Sequence, residues 1–169
     1  NGHIGQIVNI LIYRSDIWIV DYYMPKSDVG YYSRAVGVAQ LLLLISSALS
    51  AVLNPYLSDP KNTDHEKVAG YYSRIHFTMM IVFSLAGLAL SPFVFPLVYG
   101  DDFSASVIPF MIMLPATLFI GMTRIFATFN VSRNRLRENL YASLGALLLI
   151  IPLDFFIIPR FGIEGAALA

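Results

Sequence analysis

The 169 residues are 57% hydrophobic and 13% charged, with zero formal net charge and no cysteine. Soluble domains carry about 25% charged residues, so this chain cannot cover a globular surface with polar groups, and a bilayer suits its composition. Neutrality removes the electrostatic case for nucleic acid, and the lack of cysteine excludes disulfides, thiolate metal sites and cysteine nucleophiles.

A helix crosses about 30 Å of hydrocarbon with ~20 residues. Five stretches meet that length, at about 4–24, 31–57, 71–99, 105–132 and 140–159, and the tail after Arg160 reads as the start of a sixth. The expected fold is an all-α, polytopic transmembrane bundle forming one domain over 1–169. A start at Asn1 and a close at GIEGAALA, partway into apolar sequence, give the expectation of a piece of a longer polypeptide.

The first stretch holds Arg14, Asp16 and Asp21, which do not fit the uncharged core of a secretory signal. At ~100° per residue, Gln6, Asn9, Tyr13, Arg14, Asp16 and Asp21 share an arc of roughly 160°. The opposite arc is Val8, Leu11, Ile12, Trp18 and Ile19, interrupted by Ser15. Ionisable groups at bilayer depth are costly and are functional candidates. Arg14 and Asp16 lie ~200° apart on the helix and cannot pair with each other. Either they join salt bridges to other helices, or the arc is the wall of a hydrated cavity, as the added amides and tyrosine favour.

The second stretch carries Ser33, Gly37, Gln40, Leu44, Ser47, Ala51 and Asn54 at helical spacing. Small and amide residues serve close helix approach, so packing is the first expectation here and cavity lining the second. The pentapeptide GYYSR stands at Gly30–Arg34 and again at Gly70–Arg74, ahead of the second and third runs. Tyrosine at the headgroup level and a snorkelling arginine make both copies interfacial anchors, at opposite faces.

The third and fourth stretches meet at GDDFS, where Asp101 and Asp102 read as a solvated turn or helix cap rather than an acid–base pair. Pro92, Pro96, Pro109, Pro115 and Pro152 interrupt the spans and bend their helices, for a gate or for shape alone. Thr117, Gly121, Arg124 and Thr128 share one face of the fourth stretch. Arg124 is placed to pair with Asp16, to snorkel, or to meet an anionic ligand. His3, His65 and His76 are scattered, and His76 reads as packed or solvated near an interface. The sequon Asn130–Ser132 falls on the inner side in this topology and is discounted.

Lys61, Lys67 and Arg74 flank the second connection, and Arg133, Arg135 and Arg137 the fourth, whereas the third has only acids. Cytoplasmic loops collect Lys and Arg. The start of the chain and the second and fourth connections are therefore expected inside.

IYRSDIWIVDYYM resembles the Arg-x-Asp helix that opens the second half of bacterial polysaccharide exporters. VGYYSRAVGVAQL with LNPYLS, the turn VYGDDFSAS and the closing FGIEGAALA resemble that family's following segments in order. The chain is thus similar to the lipid-linked oligosaccharide flippases, within the multidrug/oligosaccharidyl-lipid/polysaccharide exporter superfamily. The resemblance implies an inner-membrane protein of two six-helix lobes, with this chain in the second lobe as the seventh to eleventh helices. It implies a flippase that carries an undecaprenyl-diphosphate-linked glycan to the periplasmic face by alternating access. The sequence itself has no metal-ligand spacing, Gly-rich phosphate loop or nucleophile elbow, so no enzyme activity, cofactor or resident metal is expected.

By motif, Arg14 and Asp16 would line its cavity. Arg124 matches no family motif and rests on periodicity alone. Cations would offset the charge of the lipid diphosphate, and Asn9, Tyr13 and Gln40 would bond sugar hydroxyls. Asp16 or Asp21 would carry a coupling cation or proton. The alternatives are a drug exporter of the same superfamily, whose cavity should be dominated by acids, and a membrane glycan polymerase or transferase, which would need a large loop of convergent acids or histidines.

Overall fold

The computed structural model describes residues 2–59, 61 and 64–169, with the side chains of residues 2–4 and 6 outside the description. Gln6 and His3 therefore contribute nothing below. Five α-helices follow one another: α1 (Gly2–Tyr23), α2 (Lys26–Ser58), α3 (His65–Tyr99), α4 (Val107–Ser132) and α5 (Leu136–Leu168). A 3₁₀ turn, Asp101–Ser106, leads into α4. There is no strand among the described residues. α2, α3, α5 and the 3₁₀ turn with α4 are long and apolar enough to cross a membrane. α1 has 22 residues; it carries Arg14, Asp16 and Asp21 and is not among those four.

α2 and α3 begin about five residues earlier than hydropathy places them. Lys26, Ser27 and Asp28, or Glu66 and Lys67, are polar enough to read as loop but are compatible with a first helical turn. Both GYYSR copies accordingly lie within helices, in the second turn. The two copies are not equivalent anchors. Tyr32 is buried and belongs to the core, whereas Tyr71 is exposed. Arg34 stacks over the Tyr99 ring at 5.4 Å.

Gly100 closes α3 at φ +97°, a left-handed conformation that glycine adopts without a Cβ penalty. Asp101 and Asp102 are exposed in the following 3₁₀ turn, so the solvated-turn expectation holds. Pro109 sits in the first turn of α4, where no backbone donor is lost.

The start of a sixth span expected after Arg160 falls in the last part of α5, where a break in the backbone separates a second short helical segment. α5 breaks at Gly162 (φ 60°, ψ −143°). A Cβ built on Gly165 would lie 3.0 Å from the carbonyl oxygen of Ile157. In an unbroken helix those positions are ~12 Å apart, so the chain doubles back at Gly162.

α4 is the centre of the bundle, with α2, α3 and α5 against it; α1 lies mainly along α5. Residues pair across the helices in an up-and-down order. One end carries the start of α1 and the α2–α3 and α4–α5 connections; the other carries the α1–α2 turn and the 3₁₀ turn. At the second end two clusters seal the bundle. Ile19, Val20, Tyr32 and Ile158 pack with Ala166 and Ala167, and Ala35, Ala39 and Phe95 pack with Phe110 and Leu114. At the first end Leu53, Leu57, Ala69 and Ile125 join α2, α3 and α4. No such cluster joins α1 to α2 there among the described residues, and the space between them stays open.

A polar cleft as the candidate functional site

That space is a cavity of about 670 Å³ among α1, α2, α4 and α5. Asn9 and Tyr13 face it from α1, Ser47 and Asn54 from α2, Arg124 and Thr128 from α4. A second cavity of about 290 Å³ adjoins it, sharing Tyr13 and Arg124 and adding Arg14 and Gln40. Neither cavity has an acidic residue in its lining.

The helical pattern explains why these groups converge. On α2 the buried face is Tyr32, Ala35, Ala39, Leu43, Ser46, Leu53 and Leu57. The stripe of small and amide residues runs one position out of phase with it. Gln40 and Leu44 line the smaller cavity and Ser47, Ala51 and Asn54 the larger. The stripe's lower half is thus cavity wall rather than the close-packing face expected first.

Arg124 is the electrostatic centre. It is half-buried and donates through Nη1 to the Ser47 hydroxyl. Its Nη2 reaches the Tyr13 hydroxyl at 3.4 Å, and the guanidinium lies 6.0 Å from the Tyr13 ring centroid. Neither partner is anionic. The ion pairs of the described residues, Asp21–Lys26, Asp64–Lys67 and Arg135–Glu138, are all exposed at helix ends. A guanidinium has five donors, so Arg124 retains capacity toward the cleft with its charge uncompensated. Of the three roles open to Arg124 from the sequence, pairing with Asp16 is not what the structure has.

The seven residues singled out by sequence part into two groups. Asn9, Tyr13, Arg14, Gln40 and Arg124 meet at the two cavities. Asn9 also accepts a hydrogen bond from Ser143 on α5 at 3.2 Å. Asp16 points elsewhere: it accepts from the Tyr32 hydroxyl at 2.6 Å and from the Ile17 amide at 2.7 Å. Asp21 is exposed and pairs with Lys26 at the α1–α2 turn, away from the cleft.

Sequence reasoning missed Asn139, Ser143 and Asp154, and named His76 only as packed or solvated near an interface. Asn139 and Ser143 enter the cleft wall from the start of α5, where the residues read as loop or apolar span. Asn139 accepts from Asn130 at 2.8 Å and donates to the Ala127 carbonyl at 3.0 Å, which holds α5 on α4. His76 is fully buried rather than interfacial, with Nε2 2.7 Å from the Ser46 hydroxyl. Asp154 is 1% exposed; its signal was available, since it is the sole acid in the fifth predicted span.

Comparison with curated proteins gave no match, and comparison with solved structures gave none. A family model described as polysaccharide biosynthesis protein matches residues 3–108. That stretch takes in α1, α2 and α3, and with them Asn9, Tyr13, Arg14 and Gln40 of the cleft, while Arg124 lies beyond it. With more than half of its residues matched, the chain belongs to the polysaccharide biosynthesis protein family.

Proposed function

We propose that this chain forms part of one lobe of a transporter that flips a lipid-linked oligosaccharide across the bacterial inner membrane. The observation that carries the proposal is the uncompensated guanidinium of Arg124 in a cleft whose other polar lining groups are all amides and hydroxyls, set among alanines and a valine. A diphosphate linked to a glycan needs a cation for its charge and neutral donors and acceptors for its hydroxyls. Membership of the polysaccharide biosynthesis family supports the same class of cargo.

In this proposal α1 is a fifth crossing whose polar side faces the cleft. The cleft occupies the half of the bundle nearer the cation-rich connections, which the positive-inside rule makes cytoplasmic. The opposite half is closed by the two packed clusters. An undecaprenyl-diphosphate-type substrate would enter from the cytoplasmic side and leave on the other after the lobes rock. The role is transport rather than catalysis. The lack of acids in the lining favours this cargo over the cationic substrates of a drug exporter.

The test is complementation by the full-length protein, with surface polysaccharide and cytoplasm-facing lipid-linked glycan measured at matched protein levels. Arg124→Ala should lower export at least about tenfold, the equivalent of one lost charged hydrogen bond, and Arg124→Lys should retain part of it. Normal export by Arg124→Ala would overturn the proposal.

A further inference from the structure

The aliphatic hydroxyls that border the larger cavity have their protons committed within the protein. Ser47 donates to the Leu43 carbonyl at 3.0 Å, Thr123 to that of Ile120 at 2.8 Å and Thr128 to that of Arg124 at 2.9 Å. Ser143 on α5 donates to Asn9 Oδ1 on α1 at 3.2 Å. The oxygen of the remaining one, Ser50, is itself buried. Serine and threonine return their hydroxyls to the preceding turn when they stand inside a helix, so this polarity follows from where the helices place them.

A hydroxyl has one proton and two lone pairs. With the proton committed, Thr123, Thr128 and Ser143 can present only lone pairs to a guest, and Ser47 already accepts from Arg124. Strong donors are concentrated at Arg124. The amides of Asn9 and Asn54 carry donors and acceptors alike and serve either kind of guest. The hydroxyls therefore decide, as a set of acceptors on α4 and α5 around a space of about 670 Å³. That volume is in the range of small-molecule sites.

Acceptors suit a guest that donates. A sugar ring donates through each free hydroxyl, whereas an ionised carboxylate has only lone pairs. No cation besides Arg124 lines this cavity. A carboxylate brought here beside an occupied Arg124 would lose water and gain no counter-charge, which is costly.

We propose that the larger cavity receives the sugar joined to the diphosphate and selects an uncharged, hydroxyl-rich ring over one bearing a carboxylate. Thr123, Thr128 and Ser143 are its specificity-determining side chains. The assignment rests on the transport reading above: with a phosphate on Arg124, the attached ring lies in the space that these three border.

The test is equilibrium binding to the purified full-length protein in detergent at neutral pH. The probes are a short-chain polyprenyl diphosphate left bare, the same lipid bearing a neutral hexose, and the same lipid bearing the matching hexuronic acid. The hexosyl lipid should bind more tightly than the bare one, and at least about tenfold more tightly than the uronyl lipid. Thr128→Val and Ser143→Ala should each narrow that ratio by about threefold, the equivalent of one neutral hydrogen bond. Ser143→Lys, which supplies the missing cation, should turn the preference toward the uronyl lipid. Thr78→Val removes a hydroxyl with the same intrahelical bond, exposed on α3 outside the cleft, and should keep the wild-type ratio.

Equal affinity for the hexosyl and uronyl lipids, or a preference for the uronyl one, would overturn the subsite. So would a ratio that survives both Thr128→Val and Ser143→Ala. Should those variants fail to fold, the wild-type ratio decides. The bare lipid separates this subsite from the transport reading. If the bare lipid binds, loses that binding in Arg124→Ala, and the two sugars are not distinguished, the subsite alone falls. If none of the probes binds, both fall.

Discussion

Ser46 on α2 and His76 on α3 meet at 2.7 Å with neither side chain exposed, and Gly121 on α4 is the floor on which they rest. A Cβ at Gly121 would stand 2.7 Å from both Ser46 Oγ and His76 Cε1. Three helices thus cross at one buried hydrogen bond, which is possible because the central helix has no side chain there. The crossing holds α4 in place one turn from Arg124, and so links packing to the cleft.

Gly121→Ala should destabilise the bundle by about 1–3 kcal/mol, the usual cost of overpacking. Both neighbours are themselves packed, so the strain has no flexible side-chain end to absorb it. Thermal unfolding of the full-length protein in detergent checks this. A midpoint unchanged from wild type would mean that the crossing is looser than the distances state.

Asn139→Ala should loosen the cleft wall. It removes the bond from Asn130 and the bond to the Ala127 carbonyl. Side-chain bonds between membrane helices average ~0.6 kcal/mol, so a loss of about 1 kcal/mol is expected. Hydrogen exchange of the α4–α5 connection should rise, with α2 and α3 unaffected.

Asp21→Asn should leave export and stability within experimental scatter. Its pair with Lys26 is exposed, and exposed pairs contribute roughly 0–1 kcal/mol. The residue touches neither cavity. Export assayed beside Arg124→Ala separates the two groups into which the sequence candidates fell; a severe defect in Asp21→Asn would return it to the transport pathway.

Single cysteines test the orientation of the cleft. In a cysteine-free full-length background, Asn54→Cys and Asn139→Cys should react with an impermeant maleimide from the cytoplasmic side. Ala39→Cys, buried in the cluster of α2, α3 and α4, should stay unlabelled. Labelling of Asn54→Cys from the outside alone would invert the topology.

Much was already determined by the sequence. Long apolar runs must satisfy their backbone within helices at bilayer depth, so the helical class and the approximate spans follow from local composition. The polar arc of α1 likewise follows from helical periodicity, which needs no partner to be read. Helix starts were less legible, because Lys26–Asp28 and His65–Lys67 suit loop and first turn equally. What periodicity cannot supply is which helix lies opposite. Asp16 and Tyr13 share an arc on α1, yet one meets Tyr32 and the other Arg124, because α1 touches α2 near their turn and parts from it beyond. The buried pairing of Ser46 with His76 and the return of Ala166 to Tyr32 join residues far apart in the chain. Only tertiary packing brings those groups together, and with them it decided which polar residues face the cleft and which are enclosed.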